Sequence, residues 1–242
     1  MNKCLSNREI APGIYEMKIK WDQAGQAQCG QFVHILCEGA FLRRPISICD
    51  IENGDVLRII FETKGKGTAA LAKMQPGQEV DLLGPLGTGF TADKNFKNPL
   101  LIGGGIGVYP LYMLGRQLND PQIFLGFRDK TRITLEQDFK QIGTLSITTD
   151  DGSYGKQGVV TTLVEQYLDQ NQSDAIFACG PLPMLRAVHK IAMDRNIFCE
   201  ISMEERMGCG IGACLVCACE TEFGYKHVCK DGPVFNAKTL KL

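Results

Sequence analysis

Cysteine is the residue whose spacing in this sequence most directly indicates a chemistry. Four of the eleven cysteines, Cys209, Cys214, Cys217 and Cys229, follow the pattern C-x4-C-x2-C and then, after eleven further residues, C. Thiolates at this spacing hold a 2Fe–2S cluster, with three of them on one loop that wraps the inorganic core and the fourth on a following strand. Cys219 is the additional cysteine of the segment, and we expect it to lie on a strand and to face away from the cluster.

Small residues separate these cysteines. Gly208, Gly210 and Gly212 allow backbone N–H groups to approach sulfur atoms closely, and glycine also accepts a positive φ. Structural zinc is the alternative, but zinc sites usually show two C-x2-C pairs, and unliganded thiols are a further alternative. The six scattered cysteines are typical of small buried apolar residues in a reducing compartment. The spacing favours an iron–sulfur cluster.

A second candidate site is a glycine-rich turn after an apolar run. Gly103, Gly104, Gly105 and Gly107 meet the dinucleotide pattern G-x-G-x-x-G only in part, because Pro110 stands at its last position. Proline is tolerated in the first turn of a helix, where the backbone N–H has no helical partner. The turn is therefore predicted to present N–H groups to a pyrophosphate, and a tight packing turn is the alternative.

Two further segments follow predicted strands. Arg128 and Asp129 stand where an adenosine ribose would be read: the carboxylate would suit the 2′-hydroxyl of NAD and the guanidinium the 2′-phosphate of NADP, so the choice stays open. Both could also be solvated loop charges. Cys179, Gly180 and Pro181 stand at the end of the second predicted strand after Asp129. Ligands of parallel sheets bind at this edge. A buried structural cysteine is the alternative at this position.

The overall composition excludes several classes of partner. The formal charge is −1, from 26 basic and 27 acidic residues, and the sequence has no basic block, so nucleic acid and anionic membranes are disfavoured. With 44% apolar residues the chain can form a sizeable core. No apolar run reaches the ~18 residues of a membrane span, and the first ten residues lack the apolar stretch of a signal peptide. We therefore expect a cytoplasmic protein.

The order of predicted elements positions these sites. Short strands with Gly and Pro turns fill the first ninety residues, predicted at 13–20, 31–37, 45–51, 55–63 and 79–83, with one helix at 67–74. Strands then alternate with helices as far as residue 203, which predicts a parallel sheet covered on both faces. The fold class is thus multidomain: an antiparallel β-barrel at 1–95, a doubly wound α/β sheet at 96–203 and a small 2Fe–2S module at 204–242.

The barrel contains a motif that resembles a known family. Arg44, Pro45 and Ser47 are similar to the flavin motif of the ferredoxin reductase family, and residues 103–110 and 179–184 follow in that family's order. With Gly67-Thr68 and the C-terminal cysteine block, nearly the whole chain resembles the electron-transfer subunits of class B dihydroorotate dehydrogenase. The cysteine block is the most specific part of this resemblance.

The resemblance implies three cofactors, namely FAD, a 2Fe–2S cluster and NAD as electron acceptor. It also implies an FMN-containing catalytic subunit as partner, with two copies of each subunit. Catalytic roles would belong to Ser47, which faces the flavin N5, and to Cys179 on the nicotinamide side. The implied cofactor contacts are Arg44, Pro45, Ile46, Ser47, Ile60, Phe61, Glu62, Gly67, Thr68, Gly103, Gly104, Gly105, Gly107, Cys179, Gly180 and Pro181. The implied iron ligands are Cys209, Cys214, Cys217 and Cys229.

One departure from the reductase pattern concerns flavin stacking. The broader family often has Tyr where Ile46 stands, so we expect Phe61 to supply the aromatic ring. For Glu62, an acidic residue beside a dianionic cofactor, we expect the backbone rather than the carboxylate to make the contact. The three histidines, His34, His189 and His227, are predicted to be structural.

The implied function is electron transfer in pyrimidine synthesis. Electrons from dihydroorotate oxidation at the partner's FMN would pass through the cluster and FAD to NAD⁺. One alternative is a flavin and iron–sulfur subunit of another NAD(P)H–ferredoxin oxidoreductase or of a sulfide dehydrogenase. The other is a non-catalytic module that reports its redox state by changing a contact with a partner.

Overall fold

The computed structural model describes residues 2–93 and 95–242. Its strands and helices follow the order that the sequence predicts, with additions at both ends of the chain and between residues 127 and 160 of the central domain. The strands are β1 (Lys3–Ala11), β2 (Ile14–Lys20), β3 (Phe32–Ile35), β4 (Arg44–Glu52), β5 (Val56–Glu62), β6 (Leu82–Leu86), β7 (Pro99–Gly104), β8 (Gln122–Phe127), β9 (Thr144–Thr149), β10 (Lys156–Gln157), β11 (Ala175–Cys179), β12 (Phe198–Ser202), β13 (Ala218–Thr221), β14 (Gly224–His227) and β15 (Val234–Asn236). The α-helices are α1 (Lys66–Ala72), α2 (Tyr109–Gly115), α3 (Glu136–Lys140), α4 (Val160–Leu168) and α5 (Leu182–Asp194).

The first six strands form an antiparallel sheet in the order β1-β2-β5-β4-β3-β6. The segment that precedes β6 returns to β1, where Cys4 N–H donates to the Gln78 carbonyl at 2.9 Å and Val80 N–H to the Asn2 carbonyl at 3.0 Å. These bonds join the two edges of the sheet, which removes the unpaired edges that an open sheet would expose. The predicted antiparallel barrel is confirmed.

The central domain is a seven-stranded sheet in the order β10-β9-β8-β7-β11-β12-β15. Side chains alternate along β7: Leu100 and Ile102 pack with α4 and α5, whereas Leu101 packs with α2 and α3. This alternation follows from the two-residue period of a strand and buries both faces of the sheet. The doubly wound α/β arrangement is confirmed, with one antiparallel addition, since β15 runs against β12.

The C-terminal residues form no independent core. β13 and β14 pair as a hairpin, but β15 joins the central sheet, and Val228 and Phe235 belong to the hydrophobic cluster that holds α4 and α5. The cysteine loop is thereby fixed to the domain that carries the glycine turn. Among the described residues, no helix is long and apolar enough to cross a membrane.

Some elements differ from the sequence-based prediction. β1 was not predicted, because its burial alternates only weakly and most of its residues are half-buried or exposed. The strand predicted at 79–83 instead runs as β6 from Leu82 to Leu86. Cys229, expected on a strand, lies in the turn after β14.

A buried ion-pair network joins the barrel to the central domain. Glu16, 2% exposed, accepts hydrogen bonds from Arg58 at 2.7 Å and from Arg8 at 2.7 Å. Arg58 also donates to Asp138 of α3 at 2.9 Å, so one guanidinium spans the two domains. Burial by itself would raise the pKa of Glu16, but Arg58 and Arg8 outweigh it and hold that pKa below its usual value.

We predict that Glu16→Gln lowers the free energy of unfolding by about 3 kcal/mol, because Arg58 is left buried without its main counter-charge. Glu52→Gln is the matched control, since Glu52 pairs with Lys18 at 2.7 Å on the same sheet but is 28% exposed. It should cost about 1 kcal/mol or less. Urea denaturation measures both, and equal losses would contradict the central position given to Glu16.

The ion pair between Glu16 and Arg58 predicts that the stability of the fold depends on pH. Since the pKa of Glu16 is lower in the folded than in the unfolded chain, its contribution is present above the usual glutamate pKa of ~4.3 and is lost as the pH falls through the folded value. The stability gap between wild type and Glu16→Gln should therefore close in acid. A gap that stays constant down to the acid transition would contradict this assignment.

Candidate functional site

Each of the four spaced cysteines has a sulfur atom that accepts a hydrogen bond from a backbone N–H group of this segment. Cys209 Sγ accepts N–H bonds from Ile211 at 3.4 Å and from Ala213 at 3.2 Å, and Cys214 Sγ accepts from Cys209 N–H at 3.4 Å. These donors, Ile211 first, lower the pKa of the Cys209 thiol to about 6. The loop therefore favours a thiolate at Cys209, which is the form that binds metal, whereas burial raises the pKa of the Cys229 thiol to about 12.

The four sulfur atoms form two pairs. Cys209 and Cys214 interact through their side chains, and so do Cys217 and Cys229, whose sulfur atoms also accept N–H bonds. In the described part of the chain, no three Cys, His, Asp or Glu side chains converge as the ligands of a single metal ion. Two pairs of thiols suit two irons, whereas a tetrahedral zinc would gather all four around one ion. The donor set fits a 2Fe–2S cluster.

Positive φ angles shape this loop. Gly210 has φ +76°, Gly212 has φ +82° and even Leu215 has φ +62°, a conformation that is uncommon for a residue with a Cβ. A Cβ at Gly212 would lie 2.7 Å from the Lys230 side chain. Cys219 is buried in β13 among apolar side chains, and burial raises the pKa of its thiol to about 11.

A cavity of about 220 Å³ lies where the barrel, the central sheet and the cysteine loop meet. Its lining brings together nine of the predicted cofactor contacts, which come from both domains. They are Pro45, Ile46, Ser47, Ile60, Phe61, Glu62, Thr68, Gly107 and Cys179. Met207, immediately before the cysteine loop, also lines this cavity. The arrangement can place a flavin between the dinucleotide site and the cluster, and we call this space the flavin-side cavity.

The predicted pyrophosphate contact, Arg44, lies at the start of β4 beside the first turn of α1. A Cβ at Gly67 would lie 2.6 Å from Arg44 Nε, so only glycine lets the guanidinium approach the helix. Thr68 Oγ1 accepts the backbone N–H of Lys64 at 2.9 Å and of Gly65 at 3.2 Å. Gly67 lines none of the cavities described here, and its contribution is the space that it leaves for Arg44.

Two predicted flavin contacts on β5 already have packing or ion-pair partners within the chain. The ring of Phe61 is 2% exposed and stacks on Tyr15 at 5.9 Å, which argues against its stacking on a flavin. The carboxylate of Glu62 pairs with Arg132, and with Lys64 at 3.2 Å. These cations compensate its charge beside the cavity, in keeping with a backbone contact to an anionic cofactor.

The glycine turn faces a second cleft of about 540 Å³. Gly104, Gly105, Gly107, Gly180 and Pro181 all line it. A Cβ at Gly107 would lie 2.5 Å from the carbonyl oxygen of Cys179, so the turn and the end of β11 touch through backbone atoms. Gly103 is different: it is buried between Val108 and Leu125 and lines none of these cavities.

Cys179 ends β11 in register with Gly103 of β7 and Ser202 of β12. Burial raises the pKa of its thiol to about 12, although Ser202 acts in the opposite direction. The thiol is therefore protonated at neutral pH, so Cys179 can line the cavity but cannot act there as a thiolate.

Arg128 and Asp129 line the same cleft as the glycine turn. The carboxylate of Asp129 accepts Thr131 N–H at 2.8 Å and the Thr131 hydroxyl at 2.5 Å, and these bonds lower its pKa. Asp129 is thus an ionised acceptor at the rim. The geometry brings both charges to the cleft that the glycine turn faces.

Sequence reasoning missed the contribution of residues 203–207. Met203, Glu204, Arg206 and Met207 line a third cleft of about 750 Å³, which also contains Arg44, Gly180 and Pro181. The only available signal was position, since these residues connect β12 to the first cysteine. Gly208 and Val216 of the cysteine loop reach this cleft too, so the loop and Arg44, the predicted pyrophosphate contact, border the same space.

Comparison with known proteins identifies the family. Residues 204–241 match the model for the iron–sulfur cluster binding domain of dihydroorotate dehydrogenase B. The electron transfer subunit of dihydroorotate dehydrogenase B (NAD⁺) from Geobacillus thermodenitrificans is 46% identical, covering 98% of this chain and 96% of that protein. The corresponding subunit from Caldanaerobacter subterraneus subsp. tengcongensis is 40% identical with the same coverage. The chain belongs to this family of electron transfer subunits.

Solved structures show the same fold. An NADH-dependent reduced ferredoxin–NADP oxidoreductase superposes on 100% of this chain and 90% of its own with a TM-score of 0.91 and 27% identity. A ferredoxin NADP⁺ reductase from Neisseria gonorrhoeae, solved with FAD and NADP, covers 81% of this chain and 91% of its own at a TM-score of 0.67 and 18% identity. The second likeness is one of fold alone.

The loop geometry predicts which cysteine the cluster of this dehydrogenase subunit needs. Cys214→Ser should abolish the visible iron–sulfur absorbance, because Cys214 belongs to one of the two thiol pairs. Cys219→Ser is the control and should keep that absorbance, since Cys219 is buried in β13 outside both pairs. The reverse pattern in spectra of anaerobically purified variants would show that the ligand set is wrong.

Proposed function

We propose that this protein carries electrons from dihydroorotate oxidation on an FMN-containing catalytic subunit to NAD⁺, as part of pyrimidine synthesis. We further propose an assembly with two copies of each subunit and a location in the cytoplasm. All eleven cysteines are free, which suits a reducing compartment. The names of the relatives support NAD⁺ as the acceptor.

One observation carries the proposal. The cysteine loop, the flavin-side residues of β4 and the dinucleotide-side residues at the end of β11 border the same clefts. FAD, when bound there, exchanges two electrons with a nicotinamide as hydride and single electrons with a 2Fe–2S cluster. A chain that holds all three sites together is suited to convert between the two kinds of transfer.

The residues of this chain supply binding and orientation. Arg44 would hold the pyrophosphate of FAD beside α1, and Ser47, half-buried in the flavin-side cavity, would donate a hydrogen bond to the flavin edge. Cys179, Gly180 and Pro181 would shape the nicotinamide side, and Gly104, Gly105 and Gly107 would present backbone groups to its pyrophosphate. The two cysteine pairs would hold the irons.

No proton-transfer group for dihydroorotate is assigned to this chain. His189 Nε2 lies 3.0 Å from the Ala237 carbonyl, and His227 lies 3.6 Å from Asp231, so both are engaged within the fold. His34 is fully buried. Dihydroorotate chemistry is therefore assigned to the partner subunit.

The similarity to an NADH-dependent reduced ferredoxin–NADP oxidoreductase favours a second candidate, a subunit that exchanges electrons with ferredoxin. The decisive experiment offers the purified chain NADH or NADPH with a dye acceptor, and then dihydroorotate and NAD⁺ with the catalytic subunit. We expect dye reduction with NADH by the chain alone and orotate formation only in the complex.

Preference for NADPH, together with ferredoxin-dependent turnover, would favour the second candidate instead. A redox-responsive module without catalysis would leave the dye oxidised with either nucleotide. Zinc in place of iron, or no flavin released on heating, would exclude both electron-transfer functions.

Ser47→Ala tests the flavin side separately. The variant should retain FAD, because the pyrophosphate contacts are untouched, but its hydride transfer from NADH should be roughly 10- to 100-fold slower, as expected for about 1.4–2.7 kcal/mol of lost hydrogen bonding. Stopped-flow reduction of the bound flavin by NADH measures this step. Unchanged reduction at full FAD occupancy would remove Ser47 from the mechanism.

A further inference from the structure

His34 lies in the middle of β3 and is fully buried, yet it has no hydrogen-bond partner at either ring nitrogen. Among the described residues it is the only side chain with two buried, unpartnered polar atoms. Buried polar groups in folded proteins are almost always hydrogen-bonded, because an unmade bond in the interior is costly. The ring therefore has hydrogen-bonding capacity that no group of the described chain satisfies at full hydrogen-bond geometry.

The cysteine loop lies against this ring. A Cβ at Gly210 would lie 2.5 Å from His34 Nδ1 and 2.9 Å from Cε1, so the loop can pass this closely only because residue 210 is glycine. The backbone of Cys209 also approaches the ring as a hydrogen-bond partner that acts to raise its pKa, although neither ring nitrogen meets a partner at full hydrogen-bond geometry. The imidazole thus borders the segment that carries the first of the four cysteines.

The charged groups that act on the ring cannot accept a hydrogen bond from its N–H group. Arg43 and Arg44 are both cations, and a guanidinium has no acceptor atom. Phe32 presents its ring at 6.2 Å and at 85° to the imidazole and contributes no hydrogen bond. The acceptor for an imidazole N–H must therefore come from the cysteine side.

Strand register connects the same residue to the flavin side. His34 pairs with Pro45 across β3 and β4, and Phe32 pairs with Ser47. Both Pro45 and Ser47 line the flavin-side cavity. His34 thus lies between the cysteine loop and the strand that carries the flavin motif.

We propose that His34 is a positioning residue that donates an N–H hydrogen bond to the iron–sulfur site and thereby sets its reduction potential. The inference rests on the proposed function, since it needs the cluster to be present. A donor beside the cluster stabilises the reduced form, which carries one more negative charge, and so raises the potential. His34 joins the four cysteines as a residue of the cluster site, supplied by the barrel.

The test is an anaerobic redox titration of the purified holoprotein, monitored by electron paramagnetic resonance of the reduced cluster. His34→Leu removes the donor but keeps an apolar side chain in the site. It should shift the equilibrium about tenfold toward the oxidised cluster, a fall of about 59 mV in midpoint potential for one electron. His34→Gln retains N–H donors and should recover at least half of that shift.

Val33→Ala is the matched control, because Val33 is the neighbouring buried residue of β3 and faces the barrel core. It weakens the same strand and should leave the potential unchanged. A wild-type potential in His34→Leu, or equal shifts in the Leu and Gln variants, would overturn the donor role. If His34→Leu does not load iron, His34→Gln decides: a fall of less than about half of the 59 mV supports the role, and a larger fall overturns it.

The controls also separate this inference from the proposed function. A wild-type protein that contains no 2Fe–2S signal contradicts the proposed function and the inference together. A normal wild-type signal that His34→Leu leaves unmoved contradicts the inference alone.

Discussion

The close contact between the cysteine loop and the barrel is the constraint on which the rest of this structure depends. Electrons move over short distances, so a cluster can serve a flavin only if the two sites are held together. Here glycine at position 210 lets the loop pack directly on His34 of β3, while β15 fixes the end of the chain to the central sheet. The two attachments hold the thiol pairs beside the cleft shared by both domains.

The same contact explains why the three regions act as one site. The flavin-side cavity is lined from the barrel, the glycine turn and the segment before the cysteines, so no single domain could form it. Arg58 joins Glu16 to Asp138 across the domain boundary, and Arg132 reaches Glu62 in the same way. Ion pairs with buried members keep the two domains in a fixed relation, which electron transfer and hydride transfer both require.

Sequence patterns predicted much of this arrangement. The alternating strands and helices of the central domain follow from two-residue and 3.6-residue apolar periods, and in the barrel β5 lies within one residue of its predicted bounds at each end. β1 and β15 were missed, because one is largely exposed and the other has only three residues, so neither carries a clear period. Motif spacing located the cysteines, but it could not show that His34, more than 170 residues away, packs against their loop. That contact depends on tertiary packing.

The most direct test of the account is the metal and sulfide content of the anaerobically purified chain, measured with the electron paramagnetic resonance spectrum after reduction. Thiols arranged in two pairs predict two irons and two acid-labile sulfides for each chain, with the signal of a single reduced 2Fe–2S cluster. One zinc ion for each chain, without sulfide or signal, would mean that the cysteines form a structural site and that electrons do not pass through this loop.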